Sequence, residues 1–159
     1  MKLYTLKRIQ ILPITLRQAW DFFATPDNLA TITPKHLQFL TLHSSGDGKM
    51  YPGQIIYYKL YPIPFWRVSW VTEITHVQEL SYFVDEQRFG PYALWHHEHR
   101  FRETVDGIEM VDELAYAIPF GIIGRLAHTL FVKRMLTRIF DYRYQVLQQH
   151  FNPATRKPV

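Results

Sequence analysis

Three of the eight histidines in this 159-residue chain stand at positions 96, 97 and 99. They lie in the segment Trp95-His96-His97-Glu98-His99-Arg100-Phe101, which reads as a strand. Successive side chains of a strand point to opposite faces, so His97 and His99 share a face with Trp95 and Phe101, while His96 shares the other with Glu98 and Arg100. The dipeptide Asp106-Gly107 is a strong hairpin signal. A two-residue turn there pairs Phe101 with Asp112, His99 with Leu114 and His97 with Tyr116, which brings two imidazoles, a carboxylate and a phenol onto one face. A one-residue change in loop length would break that arrangement, because strand register alternates faces.

Three kinds of chemistry are open to these groups. As metal ligands, His97, His99 and Asp112 have acceptable donor atoms, but a His-x-His pair with one distant carboxylate is a weak signal, and no metal or cofactor is expected. As acid-base machinery, an imidazole of His97 or His99 beside Asp112 could move protons at neutral pH, as a cyclase, dehydratase or isomerase requires. In the third reading the groups bond to one another or to buried water, or orient a ligand's polar head, since buried polar groups need partners in any case. On that reading the chain is not a dedicated enzyme. Gly46-Asp47-Gly48-Lys49 lacks a complete phosphate-loop pattern and sits where a hairpin turn is expected. No nucleophile elbow or Ser-His-Asp order is present.

The elements that position these residues follow from pattern. Residues 3 to 12 read as a strand ended by Pro13. Thr15 and Gln18 then offer a capping box for a helix carrying Leu16, Ala19, Trp20, Phe22 and Phe23. Thr25 can cap a second short helix with Pro26 at its first position, and Pro34 stops it. Strands are expected over 37 to 43, 54 to 61, 65 to 75, 79 to 85, 92 to 103 and 108 to 117. Turns fall at Ser44 to Gly48, Pro62-Ile63-Pro64, Arg88 to Pro91 and Asp106-Gly107. The clearest alternation sets Trp66, Val68, Trp70, Thr72 and Ile74 on a buried face.

The last element, about 123 to 150, holds no proline and reads as one long helix. Its apolar residues fall into two stripes: Ile123, Leu126, Ala127, Leu130 and Phe131 face one way, while Val132, Met135, Leu136, Ile139, Phe140, Val146 and Leu147 face nearly the opposite way. A straight, one-sided helix cannot satisfy both. The sequence therefore predicts a break or bend near 127 to 132, or a separate short helix made easy by Gly121 and Gly124. Arg134, Arg138, Asp141, Gln145 and Gln149 form the polar face of the later part.

Hydrophobic residues make up 47% of the chain and aromatic residues 16%, enough apolar material to bury a core and to exclude a disordered chain. The length suits one domain over 1–151 with a flexible tail over 152–159, where two prolines stand among polar residues. Cysteine is absent, which removes disulfides and thiolate chemistry and fits a reducing, cytoplasmic setting. Charges within Met1 to Arg8 and the lack of a long apolar run argue against export or membrane insertion, so no integral membrane association is expected. Net charge is +4. Its densest cluster, Lys133, Arg134 and Arg138, reads as the solvated face of a helix and not as a nucleic-acid surface, although it leaves a regulatory interaction module open as a third function class.

The order strand, two short helices, six strands, long helix resembles the helix-grip superfamily that includes START lipid-transfer domains, polyketide cyclases and the birch pollen allergen. Ile11-Leu12-Pro13, Ala19-Trp20-Asp21-Phe22-Phe23, Asn28-Leu29, Ile32-Thr33-Pro34, Phe89-Gly90-Pro91, Trp95 to Phe101 and Ile139-Phe140-Asp141-Tyr142-Arg143 are similar to a bacterial branch of ligand-binding SRPBCC proteins. The resemblance implies an α+β fold in which a curved antiparallel sheet of about seven strands wraps a long C-terminal helix around a cavity. A hydrophobic or amphipathic small molecule is the implied partner, bound by a monomer or weak dimer. The candidate ligand-binding set is Trp66, Trp70, Trp95, His97, His99, Phe101, Asp112, Tyr116, Leu136 and Phe140. The candidate catalytic residues are His97, His99 and Asp112. Fold alone does not select among binding, catalysis and regulation.

Overall fold

A computed structural model of the chain describes residues 1–46, 48–63 and 66–152, without the side chains of Ile63 and Trp66. The expected tail beyond Asn152, the Pro64 end of the expected turn and Asp47 lie outside the described residues. Seven strands form one antiparallel sheet: β1 (Leu3–Leu12), β2 (Leu40–Ser44), β3 (Gln54–Ile63), β4 (Trp66–Gln78), β5 (Tyr82–Phe89), β6 (Leu94–Thr104) and β7 (Gly107–Ala117). Their spatial order is β1-β7-β6-β5-β4-β3-β2. Between β1 and β2 lie α1 (Leu16–Phe23) and two 3₁₀ turns, Pro26–Ala30 and Lys35–Leu37. The C-terminal helical run comprises α2 (Gly121–Ala127), a π-helical turn (His128–Val132) and α3 (Lys133–Phe151). This is the α+β helix-grip architecture that the order of elements implies.

Local chemistry accounts for most boundaries. The capping box at the start of α1 is formed: Gln18 N–H donates to Thr15 Oγ1 at 3.2 Å, and Thr15 N–H donates to Gln18 Oε1 at 2.9 Å. Thr25 does not cap as expected; its hydroxyl donates back to the Asp21 carbonyl at 2.8 Å and so ties the end of α1 to the next turn. β2 begins at Leu40, not at 37, because Lys35–Leu37 closes a 3₁₀ turn. Pro62 and Ile63 continue β3 instead of turning. Beyond Lys59, β3 has outrun its pairing with β2, so a residue without an N–H costs no ladder bond on that side.

The β6–β7 hairpin decides the site. Thr104 pairs with Gly107, so its loop residues are Val105 and Asp106, not Asp106 and Gly107. Gly107 opens β7 with φ +124°, and a Cβ there would stand 2.2 Å from the Leu12 carbonyl oxygen, so only glycine fits. The shift moves the hairpin centre by one residue and each partner by two, which preserves the faces. His99 therefore faces Asp112, His97 faces Leu114 and Trp95 faces Tyr116.

Trp20 and Phe23 of α1 pack with Phe83, Phe101, Met110 and Leu147 at one end of the sheet. Leu136 and Phe140 of α3 pack on Leu114 and Tyr116 at the other. The π turn falls where the two apolar stripes conflict. Its wider hydrogen-bond spacing advances each residue by less than an α-helical step, so the face that follows is rotated from the face before it. Leu136, Phe140 and Leu147 are buried, whereas Ile123, Leu126, Leu130 and Phe131 are exposed. The first stripe is thus mostly turned to solvent, with Phe131 alone of these four reaching the space beneath the sheet.

Candidate functional site

Strand register builds the polar centre. Across β5 and β6, Asp85 pairs with His97 and Phe83 with His99; across β6 and β7, His99 pairs with Asp112. Period two on three adjacent strands then sets Asp85, His97, His99 and Asp112 on one face, two carboxylates flanking two imidazoles. Asp85 Oδ2 lies 3.2 Å from His97 Nδ1 and 3.0 Å from His99 Nε2. On the other side Asp112 Oδ1 lies 3.3 Å from His97 Nε2 and 2.7 Å from His99 Nδ1. The rings of His97 and His99 are 3.8 Å apart.

Two further groups complete the cluster. Trp95 Nε1 donates to Asp85 Oδ1 at 3.3 Å. From α3, the Arg143 guanidinium lies over the Phe140 ring, and its Nη1 approaches Asp112 Oδ2 at 3.8 Å. Trp95 is itself placed by the β5–β6 connection, where the Gln87 side chain donates to the Tyr92 carbonyl at 2.7 Å and accepts from the Tyr92 N–H at 3.2 Å.

Burial alone would raise the Asp112 carboxyl. The positive charge of His99, hydrogen bonding to His97 and His99, and the Arg143 charge outweigh it and hold Asp112 well below the usual carboxylate range. Asp85 is likewise lowered against its own burial, chiefly by the His97 charge and by the close approach of both imidazoles. Burial would lower His97, but the Asp85 charge, with hydrogen bonding to Asp112 and Asp85, raises it above the ordinary imidazole value. Each carboxylate is thus held against cationic partners, the imidazoles of β6 and the Arg143 guanidinium of α3. This meets the requirement that interior charges be paired.

The cluster looks onto apolar space. A cavity of 150 Å³ between the sheet, the 3₁₀ turns and α3 is lined by Asp85, His97, His99 and Arg143 at one pole, and elsewhere by side chains such as Phe23, Leu37, Tyr58, Trp70 and Ile74. A second cavity of 300 Å³ adjoins it toward the π turn, bounded by Ile118, Phe131, Val132, Met135 and Leu136, with Trp70, Trp95, His97, Ile139 and Arg143 common to both. Trp70 is fixed by its Nε1, which donates to Thr72 Oγ1 at 3.0 Å; the same hydroxyl bonds Tyr58 OH.

Trp70, Trp95, His97, His99, Leu136 and Phe140, all in the expected ligand-binding set, line one or both cavities. Asp112 stands behind the imidazoles. Phe101 packs instead against Trp20, Phe23 and Phe83 in the core. Tyr116 turns away from both cavities; its OH bonds His128 Nε2 at 2.9 Å, and the His128 ring stacks on Tyr4. The Trp66 side chain is outside the described residues. Sequence reasoning missed Asp85 and Arg143. For Asp85 the available signal was its parity with Phe83: a charged residue on the inward face of a strand.

These features define the class of the protein: a helix-grip fold with an internal apolar cavity and a buried polar pole. No protein-family model matches the chain, and no curated protein matches it in sequence. Solved structures do match. The aromatase/cyclase ZhuI of Streptomyces sp. R1128 is similar with a TM-score of 0.69 at 11% identity, covering 97% of this chain and 99% of that one. Ginseng (Panax ginseng) major latex-like protein 151 aligns with a TM-score of 0.68 at 11% identity over 95% of this chain and 99% of that one. A protein of Thermus thermophilus gives 0.67 at 14% over 96% and 99%. These likenesses show the helix-grip fold.

Proposed function

We propose that this protein binds an amphipathic small molecule, whose apolar body lies in the two adjoining cavities and whose polar head meets Asp85, His97, His99 and Arg143. The observation that carries this reading is the gathering of the charged groups at one pole of a mostly apolar space, the usual composition of a small-molecule site. The domain over 1–151 acts alone in this reading, in a reducing cytoplasm suited to a cysteine-free chain. Native mass spectrometry of the purified protein is expected to show a co-purified species. Titration with 8-anilinonaphthalene-1-sulfonate is expected to show saturable binding that Ile139→Trp, placed where the cavities join, weakens at least tenfold. Absence of both bound species and probe binding in the wild type would remove the proposal.

A second reading is favoured by one observation: His97 and His99 reach the cavity while held between two carboxylates. An imidazole so placed can take a proton from a bound molecule and return it elsewhere, which is the work of a cyclase, dehydratase or isomerase. Supplied with a polyketide-like substrate, the wild type would turn it over and His99→Ala would lower kcat by about 10²-fold or more. Equal turnover in the two proteins sinks the enzymatic reading and leaves the binding reading intact.

A further inference from the structure

We propose that Asp85, His97 and His99 form a binding site for one divalent first-row transition-metal ion of the Zn²⁺ kind, opening on the cavity. One donor atom from each of the three residues lies within 4.8 Å of the others, on adjacent strands of a rigid sheet. Asp85 Oδ2 stands 3.2 Å from His97 Nδ1 and 3.0 Å from His99 Nε2. A tetrahedral ion with bonds of 2.0 to 2.1 Å imposes donor separations of about 3.3 Å, so the two separations from Asp85 Oδ2 already sit close to its edges. Only one of these approaches, His99 Nε2 to Asp85 Oδ2, has hydrogen-bond geometry. His97 Nδ1 converges on the same oxygen without it, an arrangement that suits a shared cation better than a pair of N–H donors.

The outer partners fit as well. A metal-bound imidazole needs a carboxylate or carbonyl at its other nitrogen to fix the ring. Asp112 Oδ1 serves both, 2.7 Å from His99 Nδ1 and 3.3 Å from His97 Nε2. Those three atoms are buried, so Asp112 meets both rings out of contact with solvent. Trp95 Nε1 holds the second oxygen of Asp85. Two imidazoles and one carboxylate without thiolates select ions of the Zn, Fe, Ni or Cu series over Ca²⁺ or Mg²⁺. The cavity side leaves a fourth position within reach of an oxygen on a molecule held there. The metal site rests on the polar cluster alone and does not need the cavity to be filled.

Chelator-treated protein titrated with Zn²⁺ in a calorimeter is expected to take up one ion per chain, with a rise in Tm, and Co²⁺ is expected to give the intense visible absorption of a four-coordinate site. Asp85→Asn and His99→Gln should abolish both signals, Asp112→Asn should weaken Zn²⁺ by 10- to 100-fold, and His96→Gln, on the opposite face, should change nothing. The wild-type signals decide the matter even if a core variant fails to fold. No uptake tighter than about 1 mM, a Co²⁺ spectrum like that of the aqueous ion, or retention of binding in folded Asp85→Asn would overturn the proposal. Probe binding by the metal-free protein tests the cavity separately.

Away from this cluster, Phe120, Ile122 and Ile123 are 80%, 77% and 74% exposed, and Leu126 and Leu130 are exposed beside them. From Ile118 to Phe140 the sequence has Arg125, Lys133, Arg134 and Arg138 and no acidic residue. An apolar helical face whose own charged residues are all cations complements an anionic lipid surface. We infer that α2 and the π turn dock this protein on such a bilayer, where Phe131 and Val132 place the wall of the second cavity beside the lipid. The wild type should co-sediment with phosphatidylcholine vesicles containing phosphatidylglycerol and much less with phosphatidylcholine alone. Added salt or the double change Ile122→Asp and Ile123→Asp, at exposed sites, should release it. Failure to co-sediment overturns the inference, as does a dimer in solution that the same double change dissociates.

Discussion

At the scale of single residues, the cluster of Asp85, Asp112, His97, His99 and Arg143 concentrates ionisable groups in a largely buried volume. Breaking such a set by removing one charge leaves another uncompensated, which costs about 3–5 kcal/mol. Asp112→Asn keeps the shape of the side chain but removes its charge and turns one acceptor oxygen into a donor, and is expected to lower Tm by on the order of 10 °C in a chain of this size. Glu113→Gln, one residue along on the solvent face where its partner is Lys7 at 3.5 Å, should change stability by less than about 0.5 kcal/mol. Comparable losses in thermal denaturation of the two variants would refute the assignment of Asp112 to a buried, charge-balanced network. His97, His99 and Asp112 were legible in the sequence because period two is a local property of a strand. Asp85 was passed over although its parity with Phe83 turns it inward, because its pairing with His97 depends on a register between β5 and β6 that the turn at Arg88 to Pro91 does not fix. Asp112 faces His99 and not Phe101 for a related reason: Gly107 is needed at the start of β7 to pass the Leu12 carbonyl, and the loop closes one residue earlier.

At the scale of elements, the C-terminal helical run shows what periodicity can and cannot decide. The conflict between its two apolar stripes located the π turn, since a change of face needs a change of pitch. It did not show which stripe would be buried, because that depends on where the helix meets the sheet. His128 sits in the π turn, buried, bonded to Tyr116 OH and stacked on Tyr4. Burial lowers its pKa first, and the nearby charges of Lys133 and Lys2 lower it further. A histidine lowered in the folded state binds its proton more tightly when unfolded. Its contribution to stability is therefore complete above the unfolded value of about 6.5 and is lost as pH falls toward the lower folded value. The urea midpoint of the wild type should exceed that of His128→Gln by more at pH 7.5 than at pH 5. A gap that widens toward acid would mean that the imidazolium, not the neutral ring, is the form this turn accommodates.

At the scale of the whole molecule, the layout sets packing at both ends of the sheet and space in the middle. Trp20, Phe23, Phe101 and Leu147 close one end, Leu114, Leu136 and Phe140 the other, and the cavities of 150 and 300 Å³ lie between. The resemblance to helix-grip proteins implied this grip, and the seven-stranded sheet with its long C-terminal helical run agrees with it. The space was not readable from residue types, because Phe101 and Trp70 are alike in pattern yet one fills the core and the other lines the void. Apolar walls that face no partner atoms forfeit dispersion contacts, so the protein stands below the stability its burial could give. A molecule that fills the space restores those contacts and, binding the folded state alone, stabilises it by mass action. At a free concentration of 100 times Kd the gain is about 2.7 kcal/mol, which corresponds to a rise in Tm of roughly 5–10 °C for a chain of this length. 8-Anilinonaphthalene-1-sulfonate is accordingly expected to raise the Tm of the wild type, followed by circular dichroism, and the rise should continue with the logarithm of its concentration instead of levelling off. Ile139→Trp, which fills the junction with protein atoms, should show little or no such rise. A probe that leaves the wild-type Tm unchanged, or shifts both proteins equally, would mean that the space between sheet and helix is not what it occupies.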